Sequence, residues 1–139
     1  LSSIITALNE ISRNTRVILP LHPRTRKILE QNNIKLTFEP IEPVGYFDIV
    51  ELLKHSSLVI TDSGGMQKEA YFFNRYCLTL REETEWTELV NNNYNLLVGC
   101  DPALIKQGFK IYLGKTISNP VPLYGKGNAS ELIAEILLN

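Results

Sequence analysis

Thr61, Asp62, Ser63, Gly64 and Gly65 stand between a short apolar run, Leu58-Val59-Ile60, and a helix-compatible stretch from Met66 to Phe73. A strand that hands over to a helix in this way leaves backbone N–H groups free at the positive end of the helix dipole, which suits a phosphate or another anion. Gly64 and Gly65 let a ligand approach the backbone without meeting a Cβ. Glu69 falls four residues beyond Gly65, on the same helix face and about 6 Å further along the axis. A carboxylate at that reach can accept two ribose hydroxyls while a diphosphate rests on the glycines. The same residues also read as an ordinary capped helix, with Ser63 and Asp62 as caps and Glu69 facing solvent. The segment is neither a Walker A loop nor a GxGxxG turn, so local features leave both readings open.

Two further groups carry chemistry. His22 follows the apolar run RVILPL, where an imidazole can donate to a phosphate or move a proton, or serve as a hydrogen-bonded structural residue. The segment Arg81-Glu82-Glu83-Thr84-Glu85-Trp86 follows another apolar run and is placed to close over the glycine turn. There Arg81 can meet a phosphate bidentately, Glu85 and Thr84 can fix the loop or contact hydroxyls, and Trp86 can cover a base or sugar face. The plain alternative is a solvated loop with Thr84 as an N-cap and Trp86 as a core plug. His55, near a helix end, reads as a C-terminal cation.

The elements that must position these groups follow from periodicity. Ile4, Ile5, Leu8 and Ile11 mark one face of a first helix, and Thr15 to Leu21 reads as a buried strand. A short polar helix over Thr25 to Gln31 leads to an alternating strand over Ile34 to Ile41. Pro40 and Pro43 bracket a loop before a helix from Tyr46 to His55. After the Leu58 strand and the Met66 helix come a strand from Tyr76 to Leu80, a short helix from Glu85 to about Asn91, and a strand from Leu96 to Gly99. Asp101 caps a helix to about Lys115, and Ser130 to Leu138 forms the last one. Apolar strands alternating with helices predict an α/β fold, a three-layer doubly wound parallel sheet. Ligands in such sheets bind at the carboxyl ends of the strands, which is where His22, the Pro43 to Tyr46 loop, Asp62 to Gly65, Arg81 to Trp86 and Gly99 to Asp101 fall.

The 139 residues, 44% of them apolar, suit one domain with one core. A net charge of −1, without long runs of like charge, argues against nucleic acid or an anionic membrane as partner. No apolar stretch approaches the roughly 20 residues that cross a bilayer. Neither Cys77 nor Cys100 lies in a CxxC or Cys/His ligand pattern, so no metal site or disulfide is expected. The absence of a basic segment followed by an apolar core at the start gives no signal peptide, and a cytoplasmic protein is expected. Leu1 opens directly into a helical pattern, as in a piece of a longer protein.

Taken together, TDSGGMQKEA at Thr61 to Ala70, LREETEWTE at Leu80 to Glu88, LVG at Leu97 to Gly99 and YGKGNASELI at Tyr124 to Ile133 resemble the non-hydrolysing UDP-N-acetylglucosamine 2-epimerase family. The corresponding family patterns are TDSGG-x-Q-E-E-A, LR-x-x-TERPE and an NPYGDGKA-x-x-I ending. The resemblance covers most of the chain from His22 onward. It implies the C-terminal, UDP-holding Rossmann-like half of a glycosyltransferase-B arrangement, with the N-terminal domain outside this sequence.

By this resemblance Ser63, Gly64 and Gly65 hold the diphosphate and Glu69 the ribose of UDP or a UDP-sugar. His22 faces the interdomain cleft, where bacterial members can take a second sugar nucleotide as effector, and Arg81 and Glu85 shape the phosphate-side loop. Three positions depart from the pattern. Trp86 stands where many members have an arginine that touches the nucleotide, so that contact is lost or replaced by stacking. Ile49 stands where an aromatic often lies near uracil, and Val44 where glutamine is common, which leaves base recognition to backbone groups of the Val44 to Tyr46 loop.

The resemblance further implies UDP elimination across C1 and C2 and re-addition to the other face, without metal or NAD, in a full-length protein expected to be a homodimer. The acid and base carboxylates would come from the N-terminal domain, so no catalytic residue is assigned here and the isolated piece is expected to be inactive or a weak UDP binder. A close variant is an epimerase for a UDP-2,3-diacetamido uronic acid. Outside that class, a glycosyltransferase-B donor domain or a non-catalytic UDP-sugar module would also keep the phosphate turn.

Overall fold

A computed structural model describes residues 1–125 and 127–138. Helix α1 (Ser2–Ile11) and helix α2 (Pro23–Gln31) precede α3 (Tyr46–His55) and strand β1 (Val59–Thr61). Then follow α4 (Gly64–Phe72), β2 (Cys77–Thr79), α5 (Thr87–Asn91), β3 (Asn95–Leu97), α6 (Pro102–Tyr112) and α7 (Ala129–Leu138). The strands form a parallel sheet in the order β1-β2-β3, with Val59 beside Cys77 and Cys77 beside Asn95.

Side chains alternate across a strand, so neighbours on β2 face opposite sides. Leu78 belongs to a cluster with Ala7, Ile11, Val98 and Ile105, which seats α1 and α6 on one face. Cys77 belongs to a second cluster with Leu53, Val59 and Ala70, which seats α3 and α4 on the other. Helices on both faces of a parallel sheet give the expected three-layer α/β architecture. Gly108 on α6 makes the close approach possible, since a Cβ there would lie 2.7 Å from Leu78 Cδ2 and 3.1 Å from Leu96 Cδ2.

Two expected strands are not formed. Thr15 to Leu21 and Ile34 to Ile41 are irregular, the second bending at Thr37 and Phe38, and meet only at an isolated parallel bridge between Pro20 and Ile41. Around that bridge Leu21 N donates to the Ile41 carbonyl at 2.9 Å and Ile41 N to that of Leu19 at 3.0 Å. Residues 19 and 21 thus spend their polar groups on the Ile41 side, and the donor that would face the opposite side belongs to Pro20, which has none. The pair is held by side chains instead: Leu21 packs with Ile5, Leu8 and Leu29, and Leu19, Ile34, Leu36 and Phe38 pack against them.

Helix ends follow local chemistry. Asp101 Oδ1 accepts from Ala103 N at 2.7 Å and from Leu104 N at 3.4 Å, with Pro102 in the first turn of α6. Asn33, Asn74 and Asn93 adopt φ of 54°, 57° and 57° just past the ends of α2, α4 and α5, the left-handed turn that asparagine tolerates. Helix α7 buries none of its side chains, and Ile136, Leu137 and Leu138 are 76%, 79% and 87% exposed.

Candidate nucleotide-diphosphate site

β1 delivers the chain to the carboxyl edge of the sheet and α4 begins there. The helix starts at Gly64 rather than Met66, so both glycines lie in its first turn with Ser63 as the N-cap. Ser63 Oγ accepts from Met66 N at a long 3.5 Å, and Ser63 N donates to Thr61 Oγ1 at 3.1 Å. A cap that engages only the third helical residue leaves the Gly64 and Gly65 N–H groups without intrahelical acceptors. A Cβ at Gly65 would meet nothing within 4 Å, so the space in front of that residue is open. Glu69 is half-buried on the Gly65 face.

The loop after β2 closes on this turn as expected. A Cβ at Gly64 would collide with Glu85 Oε1, so the Glu85 carboxylate lies directly against this turn. Arg81 Nη1 pairs with Glu85 Oε2 at 3.0 Å, which offsets the charge of a carboxylate standing beside the glycine turn. Trp86 Nε1 donates to the Gly64 carbonyl at 2.9 Å, and Trp86 N donates to Thr84 Oγ1 at 3.2 Å. Lys68 Nζ lies 4.4 Å from the Trp86 ring centre and 4.5 Å from that of Tyr124, and the two rings meet edge to face at 6.0 Å. The Trp86 ring is thus engaged by the protein itself in this structure.

Beneath the loop, Thr84 Oγ1 donates to Gln67 Oε1 at 2.7 Å, and Asn95 Nδ2 donates to the same oxygen at 3.2 Å. Gln67 and Asn95 are buried, so this pair ties loop, helix and β3 together at low dielectric. Sequence reasoning passed over both residues. The signal available was the polar Gln67 three residues before Ala70 on a face that α4 must bury.

The other expected residues are placed elsewhere. His22 caps α2, its Nδ1 accepting from Arg24 N at 3.2 Å, and it is exposed. That bond puts the neutral ring's proton on Nε2. No hydrogen bond or ion pair joins His22 to the Ser63–Glu69 turn among the described residues. Ile49 packs against the Leu53, Val59, Ala70 and Cys77 cluster, as part of the α3–α4 core. Val44 is at the surface beside Gly45, whose N–H donates to Asp48 Oδ2 at 3.2 Å and whose carbonyl accepts from Ile49 N at 3.1 Å. The loop therefore offers fewer free backbone groups than its length implies. Because α3 precedes β1 and α4 follows it, both helices begin at the same sheet edge, where Tyr46 and Phe47 are 63% and 83% exposed.

A parallel α/β domain with an open glycine turn between its first strand and the following helix is a Rossmann-like domain. The chain belongs to the family described as UDP-N-acetylglucosamine 2-epimerase, whose sequence profile matches residues 1–138. It is 51% identical over 138 residues to the UDP-2,3-diacetamido-2,3-dideoxy-D-glucuronate 2-epimerase of Pseudomonas aeruginosa, covering 99% of this chain and 39% of that protein. A UDP-N-acetylglucosamine 2-epimerase of Methanococcus maripaludis is 39% identical, covering 99% of this chain and 39% of its own length.

Among solved structures, the UDP-GlcNAc 2-epimerase of Methanocaldococcus jannaschii superposes with a TM-score of 0.85 at 35% identity, covering 98% of this chain and 40% of that one. The same enzyme in complex with UDP-GlcNAc and UDP gives 0.82 at 35% identity, again over 98% of this chain and 40% of that one. The chain thus spans about 40% of the length of the relatives it matches.

Proposed function

We propose that this chain is the UDP-holding domain of a UDP-sugar 2-epimerase and that the β1–α4 turn seats the leaving diphosphate. The observation that carries the reading is the first turn of α4, where Gly65 fronts open space and the family match runs through the same residues. In the reaction, a base removes the C2 proton, the C1–O bond breaks with its electron pair leaving on UDP, and a glycal forms. UDP then returns to C1 as C2 is reprotonated on the other face. Ser63, Gly64 and Gly65 would hold the phosphates through that interval and Glu69 would accept from the ribose hydroxyls. The acid and base belong to an N-terminal domain. Its existence is supported by the 40% span and by the uncovered apolar side chains of α7. The full-length protein is read as a cytoplasmic homodimer. Among the described residues, no helix is long and apolar enough to cross a membrane.

UDP-GlcNAc is the substrate in the names of several relatives. The 51% identity to the Pseudomonas enzyme favours a second reading, a UDP-2,3-diacetamido uronic acid. Comparison of kcat/KM for the two sugar nucleotides on the full-length protein separates them. The UDP seat is tested by calorimetry on Glu69→Ala. Loss of a charge-assisted pair of hydrogen bonds weakens UDP by about 10- to 100-fold and leaves inorganic phosphate unchanged. Equal loss for both ligands removes the ribose role.

A further inference from the structure

We infer that Trp86 is a positioning residue for the diphosphate seat, acting through the peptide group between Gly64 and Gly65. The inference rests on the UDP reading above and deepens it. A trans peptide is planar, so the Gly64 carbonyl and the Gly65 N–H point in opposite directions. Both glycines lie in the first turn of α4, the frayed end of the helix, where glycine restrains the backbone least. Trp86 Nε1 donates to the Gly64 carbonyl at 2.9 Å from outside the helix. This bond holds the Gly64 carbonyl on the indole side, so the Gly65 N–H at the other end of the same peptide points away from the indole; a Cβ at Gly65 would touch nothing within 4 Å.

The indole is itself held from three sides. Its ring carries Lys68 Nζ at 4.4 Å, its edge-to-face partner Tyr124 stands at 6.0 Å, and its own backbone N–H is bonded to Thr84 at 3.2 Å. Thr84 is in turn fixed to buried Gln67 on α4 at 2.7 Å. The loop after β2 therefore grips α4 at Gln67, at Lys68 and at the Gly64 carbonyl, and the last grip orients a donor of the anion seat. A bound diphosphate polarises the Gly65 N–H and with it the carbonyl at the other end of the same resonant peptide, so the Trp86 N–H senses the phosphates without touching them.

The test uses ¹³C,¹⁵N-labelled full-length protein, with the Trp86 indole resonance assigned in the wild type by correlation to its own backbone. Saturation with UDP shifts the indole N–H and slows its exchange with solvent several-fold, while uridine leaves it in place. Trp86→Phe keeps an aromatic ring for Lys68 while removing the N–H together with the five-membered ring of the indole, and UDP binding weakens by about threefold to tenfold while uridine binding stays within about twofold. An indole that ignores UDP, or one that responds equally to uridine, overturns the inference, and the wild-type spectrum decides this even if the variant does not fold. Calorimetry on the wild type separates the two layers: bound UDP with a silent indole removes the positioning role alone, whereas no UDP binding removes the nucleotide reading and this inference with it.

Discussion

At the scale of the residue, Gly64 and Gly65 are adjacent and do different work. Gly64 faces the loop after β2, and a Cβ there would push the Glu85 carboxylate from its place beside Arg81. Gly65 has no such neighbour, so in the folded protein it is free to be larger. Alanine exceeds glycine in helix propensity, so Gly65→Ala is expected to raise stability by about 0.5–1 kcal/mol and to lower UDP affinity at least about tenfold by filling the seat. Thermal unfolding with and without UDP checks both halves; unchanged UDP affinity would reduce the turn to a helix cap. The sequence displayed this turn clearly because glycine pairs are read directly. It did not display what the neighbouring residues do: Trp86 was legible as an aromatic near a site, but whether its indole faces ligand or the Gly64 carbonyl depends on contacts 22 positions apart in the chain.

At the scale of the element, helices were more legible than strands. α3 lies at Tyr46–His55 as its periodicity requires, and α6 starts at the expected aspartate cap. The segments Thr15 to Leu21 and Ile34 to Ile41 have strand-like composition, yet ladder formation depends on donors reaching across to a neighbour. Pro20 supplies none, and apolar patterning does not register that loss. The tight α6–β2 contact offers a test of the layer assignment. Gly108→Ala drives a Cβ into Leu78 Cδ2 and Leu96 Cδ2, and overpacking of this kind costs about 1–3 kcal/mol. A lower denaturant midpoint is expected, and an unaltered midpoint would mean that α6 does not pack on β2 as described.

At the scale of the whole molecule, burial sorts the two thiols. Cys77 is fully enclosed in the sheet, and burial pushes its thiol from the ordinary value of 9.0 up to about 12, while Cys100 is exposed. One thiol per native chain is therefore expected to react rapidly with a disulfide reagent, and the second only after unfolding; two fast thiols would place Cys77 at the surface. The linkage has a definite sign. A thiol whose folded value is raised contributes stability that is fully present below pH 9, and loses it as pH climbs toward 12, because only the unfolded chain can release that proton. Denaturant midpoints should fall progressively across that window.

The proposed function belongs to this scale, since the chain spans about 40% of the relatives it matches and the proposal gives it the leaving group and gives proton transfer to the remainder. The most direct measurement is the fate of the C2 proton when the full-length protein acts on UDP-GlcNAc, or on its diacetamido uronate counterpart, in deuterium oxide without any acceptor. The account predicts deuterium at C2 of both epimers and release of a small pool of free UDP. Retention of the C2 proton together with transfer of the sugar to an added acceptor would contradict it.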